Sequence, residues 1–281
     1  MRPMPLPPAP CALLVLALIS LSAAKAPDRS GPAGVFRRLG RPQPNTWRAR
    51  YDEPGETAAE FERQHQPIPK NRNRIYIQPW LTRPEGEPGD LGRIARFLGE
   101  FYGRETVVLP TANLPPGTYV PARRQCNALR LARALVAKRA ADAVLVLGVT
   151  DRDLFAGNMS YLLGWGATRG GVAVMSLARL ERSADSLGRQ RRILTLAAHE
   201  TGHALGMAHC VFYECLMNGA QTPAESDLRP AYLCPVCNAK LGRRLGSPTK
   251  HYSQASSALA RAGLATDAAR VKEVATAPSH Q

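Results

Sequence analysis

The sequence predicts an α+β fold, a mixed twisted sheet with helices over residues 74–206, followed by a smaller, mainly helical C-terminal subdomain over residues 207–281. Three observations lead there. Strand-like and helix-like patterns alternate between Arg74 and Gly148, which argues for strands joined by right-handed helical crossovers. The run Ala143-Val144-Leu145-Val146-Leu147 is apolar without interruption, as in a strand covered on both faces. Beyond Gly206 the strand signals stop, and helical patterns punctuated by glycine and proline replace them.

The elements follow in order. Residues 1–24 read as a secretory signal peptide: Arg2 supplies positive charge, Cys11–Ala24 is apolar but too short to span a bilayer, and Ser22-Ala23-Ala24 offers small residues for cleavage. An uncleaved anchor is the alternative. Residues 25–73 form an extended lead-in or pro-like segment, rich in Pro, Gly, Arg and Gln, with Trp47 and Phe61 as the residues able to pin it to the domain. Arg74–Gln78 is a strand that Pro79 ends. Asp90 can cap a helix whose apolar residues Leu91, Ile94, Leu98, Phe101 and Tyr102 fall at helical spacing. Glu105–Leu109 is the second strand, Gln125–Ala141 the second helix, with Cys126 inside it, and 143–148 the third strand. Residues 159–165 and 171–176 are joined by a short connection, which makes them antiparallel and leaves one at the sheet edge. A long helix at about 190–205, a helix over 234–245 and a hairpin of helices broken at Gly263 complete the chain.

The long helix carries the chemistry. His199-Glu200-Thr201-Gly202-His203 places two imidazoles one turn apart on one face, so both can reach one ion. Glu200 lies on the adjoining face, close enough to touch a water on that ion. His209 is six residues past His203 and would point away on a continued helix, so the helix must stop. Gly206 can stop it by taking a left-handed backbone. The whole pattern H-E-x-x-H-x-x-G-x-x-H is a zinc-protease signature. Three protein ligands leave a fourth position for water, as in a catalytic site.

Cys210, Cys215, Cys234 and Cys237 follow at spacings that suit a closed four-thiolate zinc site. Two disulfides are the rival reading if the chain is exported. Met217 stands eight residues past His209 and reads by itself as a core methionine. Taken together, H-E-x-x-H-x-x-G-x-x-H-C-x4-C-x-M followed by C-x-x-C resembles the archaemetzincins, or archaelysins. Trp47 with the acidic stretch to Phe61, Arg74–Pro79, Val149–Leu154, Gly171–Leu180 and Leu233–Leu241 resemble the family too, so the likeness covers roughly residues 45–275. It implies a zincin-like metzincin fold, a catalytic zinc on His199, His203 and His209, and Glu200 as base. It further implies a structural zinc on Cys210, Cys215, Cys234 and Cys237, hence two zinc ions per chain, with Met217 on a tight turn beneath the histidines. The departure is the signal segment, since many members look intracellular.

The chain has 281 residues and a formal net charge of +15. That balance can favour anionic partners. The basic residues are scattered, however, and no nucleic-acid-binding motif is present, so a solvated basic surface is the reading taken. The expectation is therefore an exported monomeric zinc peptidase acting on a peptide or protein substrate, without a nucleic-acid partner or stable membrane insertion. An intracellular location is the alternative for the compartment. A zinc-stabilised peptide-binding or scaffold protein with little turnover is the alternative for the activity.

Overall fold

A computed structural model describes residues 35–82, 88–180, 185–246 and 251–276. The segment read as a signal peptide lies outside the described residues. In chain order the elements begin with α1 (Trp47–Arg50), α2 (Ala58–Gln64), β1 (Arg74–Trp80), α3 (Pro88–Tyr102) and β2 (Glu105–Val108). Then come β3 (Tyr119–Val120), β4 (Gln125–Asn127), α4 (Ala128–Ala137), β5 (Ala143–Thr150), β6 (Asp153–Phe155), β7 (Gly164–Gly166) and β8 (Val172–Ser176). The last are α5 (Ser186–Ala204), α6 (Pro223–Asp227), α7 (Pro235–Leu245), α8 (His251–Arg261) and α9 (Ala265–Thr276).

The main sheet has the order β2-β1-β5-β8-β7. Its first four strands run parallel, and β7 runs antiparallel to β8 at the edge. All eight residues of β5 are buried, as its unbroken apolar run requires of a central strand. A second, small sheet, β3-β4-β6, sits beside it.

Several boundaries differ from the sequence reading, each for a local reason. β1 runs through Pro79 to Trp80. Its β2 partner ends opposite Ile77, so the N–H that proline lacks has no ladder bond to make on that side. α3 begins two residues before Asp90. Asp90 is buried and receives Arg189 through Nη1 and Nη2, at 3.2 and 2.7 Å, instead of capping. The helix placed at 125–141 is shorter because Asn127 caps it, accepting from the Arg130 N–H at 3.1 Å. The three residues before it form β4, so Cys126 is a strand residue, fully buried, with burial pushing its thiol up to about 11. The edge strand is confined to 164–166 rather than 159–165.

The lead-in holds more regular structure than its composition suggests. Thr57 and Glu60 form a reciprocal capping box at the start of α2. Phe61 is fully buried in the same apolar cluster as Ile75, Leu145, Met175, Leu233 and Val271. That one cluster joins the sheet, α5 and the helices beyond Gly206. Lys240 of α7 is buried and donates to Glu56 at 2.9 Å, tying the same segment down a second time. Among the described residues no helix is long and apolar enough to cross a membrane.

His251 opens the described part of α8, packed edge-on to Phe101 and stacked on Tyr102. Burial lowers its pKa to about 4. A histidine that stays neutral in the fold costs nothing above its unfolded value of about 6.5. Below it the unfolded chain gains a proton that the fold refuses, so stability falls by roughly 1.4 kcal/mol per pH unit until about pH 4. We expect His251→Phe to flatten this acid-side slope relative to wild type. Urea unfolding at a series of pH values checks it.

Candidate active site and metal clusters

The active-site helix α5 starts at Asp185, whose carboxylate accepts from the Gly188 N–H at 2.6 Å. It ends at Leu205, and Gly206 takes φ +106°, where L-residues are strained. The chain turns back and brings His209 beside the helix, as the spacing demands. The Nε2 atoms of His199 and His203 stand 3.0 Å apart. One nitrogen from each of His199, His203 and His209 falls within 4.8 Å of the others. A tetrahedral zinc at about 2.0–2.1 Å from each nitrogen asks for nitrogens roughly 3.4 Å apart, so the set fits the ion. The opposite nitrogens are all engaged. Nδ1 of His199 meets the Leu216 carbonyl at 2.8 Å, that of His203 the Met207 carbonyl at 2.7 Å, and that of His209 a Glu53 oxygen at 2.6 Å. A ring that donates through Nδ1 presents a lone pair at Nε2, the form a metal requires. Burial holds His199 well below its ordinary pKa and His203 at about 3, so both are neutral.

Glu200 is buried, and its Oε2 has no hydrogen-bond partner among the described residues. Burial pushes its carboxyl up to about 8, and the Arg229 charge acts the other way. A cation at the three imidazoles works in the same sense as Arg229 and favours the carboxylate. The edge strand presses on this group. A Cβ on Gly164 would lie 2.5 Å from the Glu200 carboxyl carbon, and one on Gly166 would lie 2.3 Å from the His203 Cβ. Two glycines thus let β7 approach the helix at Glu200 and His203. A cavity of about 850 Å³ opens along this strand, walled by His199, Glu200, His203, His209 and residues on either side of them.

The four later cysteines also converge. Their sulfurs lie within 4.8 Å of one another, all buried, with Cys210 and Cys234 3.6 Å apart. Tetrahedral zinc–thiolate bonds of about 2.3 Å imply sulfurs roughly 3.8 Å apart, whereas a disulfide needs about 2.05 Å. Mutual hydrogen bonding pulls the Cys210 thiol down and pushes the Cys237 thiol up, while burial raises that of Cys234. So close a set cannot hold several negative charges without a cation among them. Met217 lies under the helix: a Cβ on Gly202 would meet its sulfur at 2.4 Å. The next residue, Asn218, holds the turn, donating to the Cys210 and Tyr213 carbonyls and accepting from the Cys215 N–H.

The structure therefore brings together every residue singled out for the two clusters. It adds three that the sequence reading did not assign to the site. Glu53 meets His209. Trp47 packs edge-on against the His209 ring with centroids 5.0 Å apart. Arg229, buried beside Glu200, donates to the Asn218 carbonyl at 2.6 Å and to Ser226. Trp47 carried a sequence signal as an aromatic residue in a polar stretch, and Glu53 lies in the acidic stretch from Trp47 to Phe61 that resembles the family, without being singled out there. Glu53 and Arg229 are ordinary charged residues distant in sequence from the motif.

A mixed α/β sheet with an antiparallel edge strand over an H-E-x-x-H helix, and a third histidine folded back onto it, defines a zinc-dependent metallopeptidase of zincin-like fold. The model of peptidase family M54 matches residues 91–243, more than half of the chain, and the chain belongs to that family, the archaemetzincins. It is 31% identical over 168 residues to the archaemetzincin of Archaeoglobus fulgidus, covering 60% of this chain and 98% of that one. It is 31% identical over 179 residues to that of Methanocaldococcus jannaschii, covering 60% and 96%. The crystal structure of the Archaeoglobus fulgidus protein complexed with malonate superimposes with a TM-score of 0.52 at 30% identity, covering 59% of this chain and 99% of that chain. The Methanopyrus kandleri archaemetzincin gives 0.55 at 27% identity, covering 63% and 97%.

The close approach of β7 yields a direct test. Gly164→Ala must displace the Glu200 carboxylate, because the added carbon meets it at 2.5 Å. A misplacement of about 1 Å at a reacting group typically costs on the order of 10²-fold in rate. We expect peptide hydrolysis to fall by that order while zinc content holds, as measured by turnover and elemental analysis on one sample.

Proposed function

We propose that this metallopeptidase cleaves peptide bonds at a zinc ion held by His199, His203 and His209, with Glu200 as general base. The observation that carries the reading is the arrangement around Glu200. A buried carboxyl group, one oxygen without a hydrogen-bond partner among the described residues, stands beside three converging imidazoles on the wall of an open cleft. Zinc, when bound there, polarises the scissile carbonyl and lowers the pKa of water. Glu200 takes a proton from the attacking water and passes it to the leaving amine. It is a base rather than a ligand in this reading, since a carboxylate ligand would close the position water needs.

Substrate lies along the outer edge of β7. The Ala167 N–H bonds to Val172 and the Ser176 N–H to the Leu163 carbonyl. Antiparallel bonding alternates, so the peptide groups of Gly164 and Gly166 face the open side. An extended peptide can add there as a further strand, beside Glu200. In this reading the partner is a peptide or protein that enters the cleft, and the working unit is a monomer.

A second zinc on Cys210, Cys215, Cys234 and Cys237 is part of the same proposal. Its support is the buried convergence of four sulfurs at distances suited to zinc. In this reading the ion ties the loop after His209 to the start of α7 and holds His209 in register.

Glu200→Gln keeps size and hydrogen bonding but cannot accept the proton. Loss of a positioned base typically costs about 10²–10⁴-fold. We expect that loss in turnover of a peptide the wild type cleaves, with zinc content unchanged. A Gln variant as fast as wild type rules Glu200 out as base, and one that sheds zinc makes it a ligand.

The metal count is tested separately. We expect two zinc ions per wild-type chain by elemental analysis and one in Cys234→Ser. The variant should also unfold at a lower temperature and hold its remaining zinc less tightly. One zinc in the wild type, with the four cysteines unreactive as thiols after denaturation, replaces this site with disulfides.

A further inference from the structure

We propose that Glu53 is a positioning residue of the zinc site, orienting His209 from the N-terminal segment, so that residues 47–53 belong to the active centre. The inference rests on the ligand set proposed above, and it concerns a stretch that precedes the span 91–243 matched by the family model.

The three imidazoles are not anchored alike. His199 and His203 stand on α5; the Leu216 carbonyl, with Arg229 Nη1 also 3.0 Å away, meets Nδ1 of the first, and the Met207 carbonyl meets that of the second. His209 stands on the loop past Gly206 with no helix to fix its ring. Its Nδ1 is held by a carboxylate 156 residues earlier in the chain, at 2.6 Å. That length belongs to a charge-assisted bond, and both side chains are largely shielded from water, at 15% and 25% exposure. A carboxylate on Nδ1 fixes the tautomer, fixes the ring plane and makes the opposite nitrogen a stronger donor to a metal.

Independent contacts hold Glu53 in place. The Trp47 ring packs on His209 on one side and over Gly219 on the other, where a Cβ would lie 2.3 Å from the indole. The Trp47 backbone N–H donates to Glu225 at 2.7 Å. Gly55, at φ +70°, lies against Val211 and Phe212, so the segment is seated on the His209 loop itself. Ring and carboxylate both meet the third histidine, and the backbone beside them sits on the loop that follows it. A mere tether of the segment would need none of them to face the imidazole nitrogen.

The test compares the full-length wild type with Glu53→Gln, Glu53→Ala and His209→Ala. Zinc affinity is measured by chelator competition. Visible absorption after cobalt(II) substitution provides a second readout that does not depend on activity. Cobalt among imidazoles lacks the thiolate charge-transfer band of the four-cysteine site, so the two ions are read apart. Glu53→Gln keeps an oxygen for the Nδ1 proton and removes only the charge. We expect it to weaken the histidine-site ion about 10-fold and to shift its cobalt bands, and Glu53→Ala to weaken it by 10–100-fold. His209→Ala should lose more. Wild-type affinity and spectrum in both Glu53 variants, with a clear loss in His209→Ala, overturns the positioning role and leaves the ligand set standing. Wild-type affinity in His209→Ala overturns the ligand set, and this inference with it.

Discussion

The arrangement depends on one backbone turn. At Gly206 the chain adopts a left-handed conformation that a side chain would oppose twice, through its own φ and through contact with His65 and Phe61. Gly206 N–H bonds to the His203 carbonyl and Met207 N–H to that of Gly202, so the reversal closes the helix it ends. The same turn places the Met207 carbonyl on His203 Nδ1. Helix termination, the acceptor for the second imidazole and the return of the third are thus one event. A single peptide bond further on, Cys210 enters the sulfur cluster, and its N–H meets the Met217 carbonyl. The two clusters share a backbone with no slack between them.

A turn at the end of α5 is useful only if α5 itself is fixed. Its first half is held by charge. Arg189 reaches Asp90 of α3, Arg192 forks onto Asp227 of α6, and Arg191 reaches Asp267 of α9. Three neighbouring residues thereby pull the helix toward three different elements. These pairs are at least partly shielded, and the Arg192 fork is two-pronged, so they exceed the small worth of exposed ion pairs. The second half of α5, from Ile193 onward, is almost wholly buried and held by packing. Part of the strong basic balance is thus spent inside the molecule. The scattered arginines that composition reads as a solvated surface include these clamps, along with Arg179 on Asp153 beside the small sheet.

What the sequence made legible follows from the range of the forces involved. Local periodicity exposed β5, α3 and the long helix. The His and Cys spacings exposed both clusters, because metal ligation imposes short, fixed offsets. Signals that depend on a partner elsewhere were invisible. Pro79 reads as a strand end until β2 is seen to stop beside it. Gln125-Cys126-Asn127 reads as helix until β6 pairs with it in parallel. The lead-in reads as irregular because its order comes from Phe61 in a distant core and from Glu56 under Lys240. Glu53 is the sharpest case: the acidic stretch around it resembles the family, but nothing there says which carboxylate matters, and its partner is 156 residues away.

The same contrast bears on how the centre is built. A ligand on a helix inherits its direction from hydrogen bonds already made, and groups close to the helix end, the Leu216 and Met207 carbonyls with Arg229, meet the ring. A ligand on a returning loop inherits only a position, and its ring must be aimed by something else. Here two contacts flank it: Cys210 of the sulfur cluster follows His209 directly, and Glu53 and Trp47 meet the His209 ring. One flank begins at the residue after His209 and the other lies 156 residues earlier, and both close on the same residue. On the proposed ligand set, the pose of the third imidazole draws on the N-terminal segment, α5 and the cysteine loop together. The centre is complete only in the finished molecule.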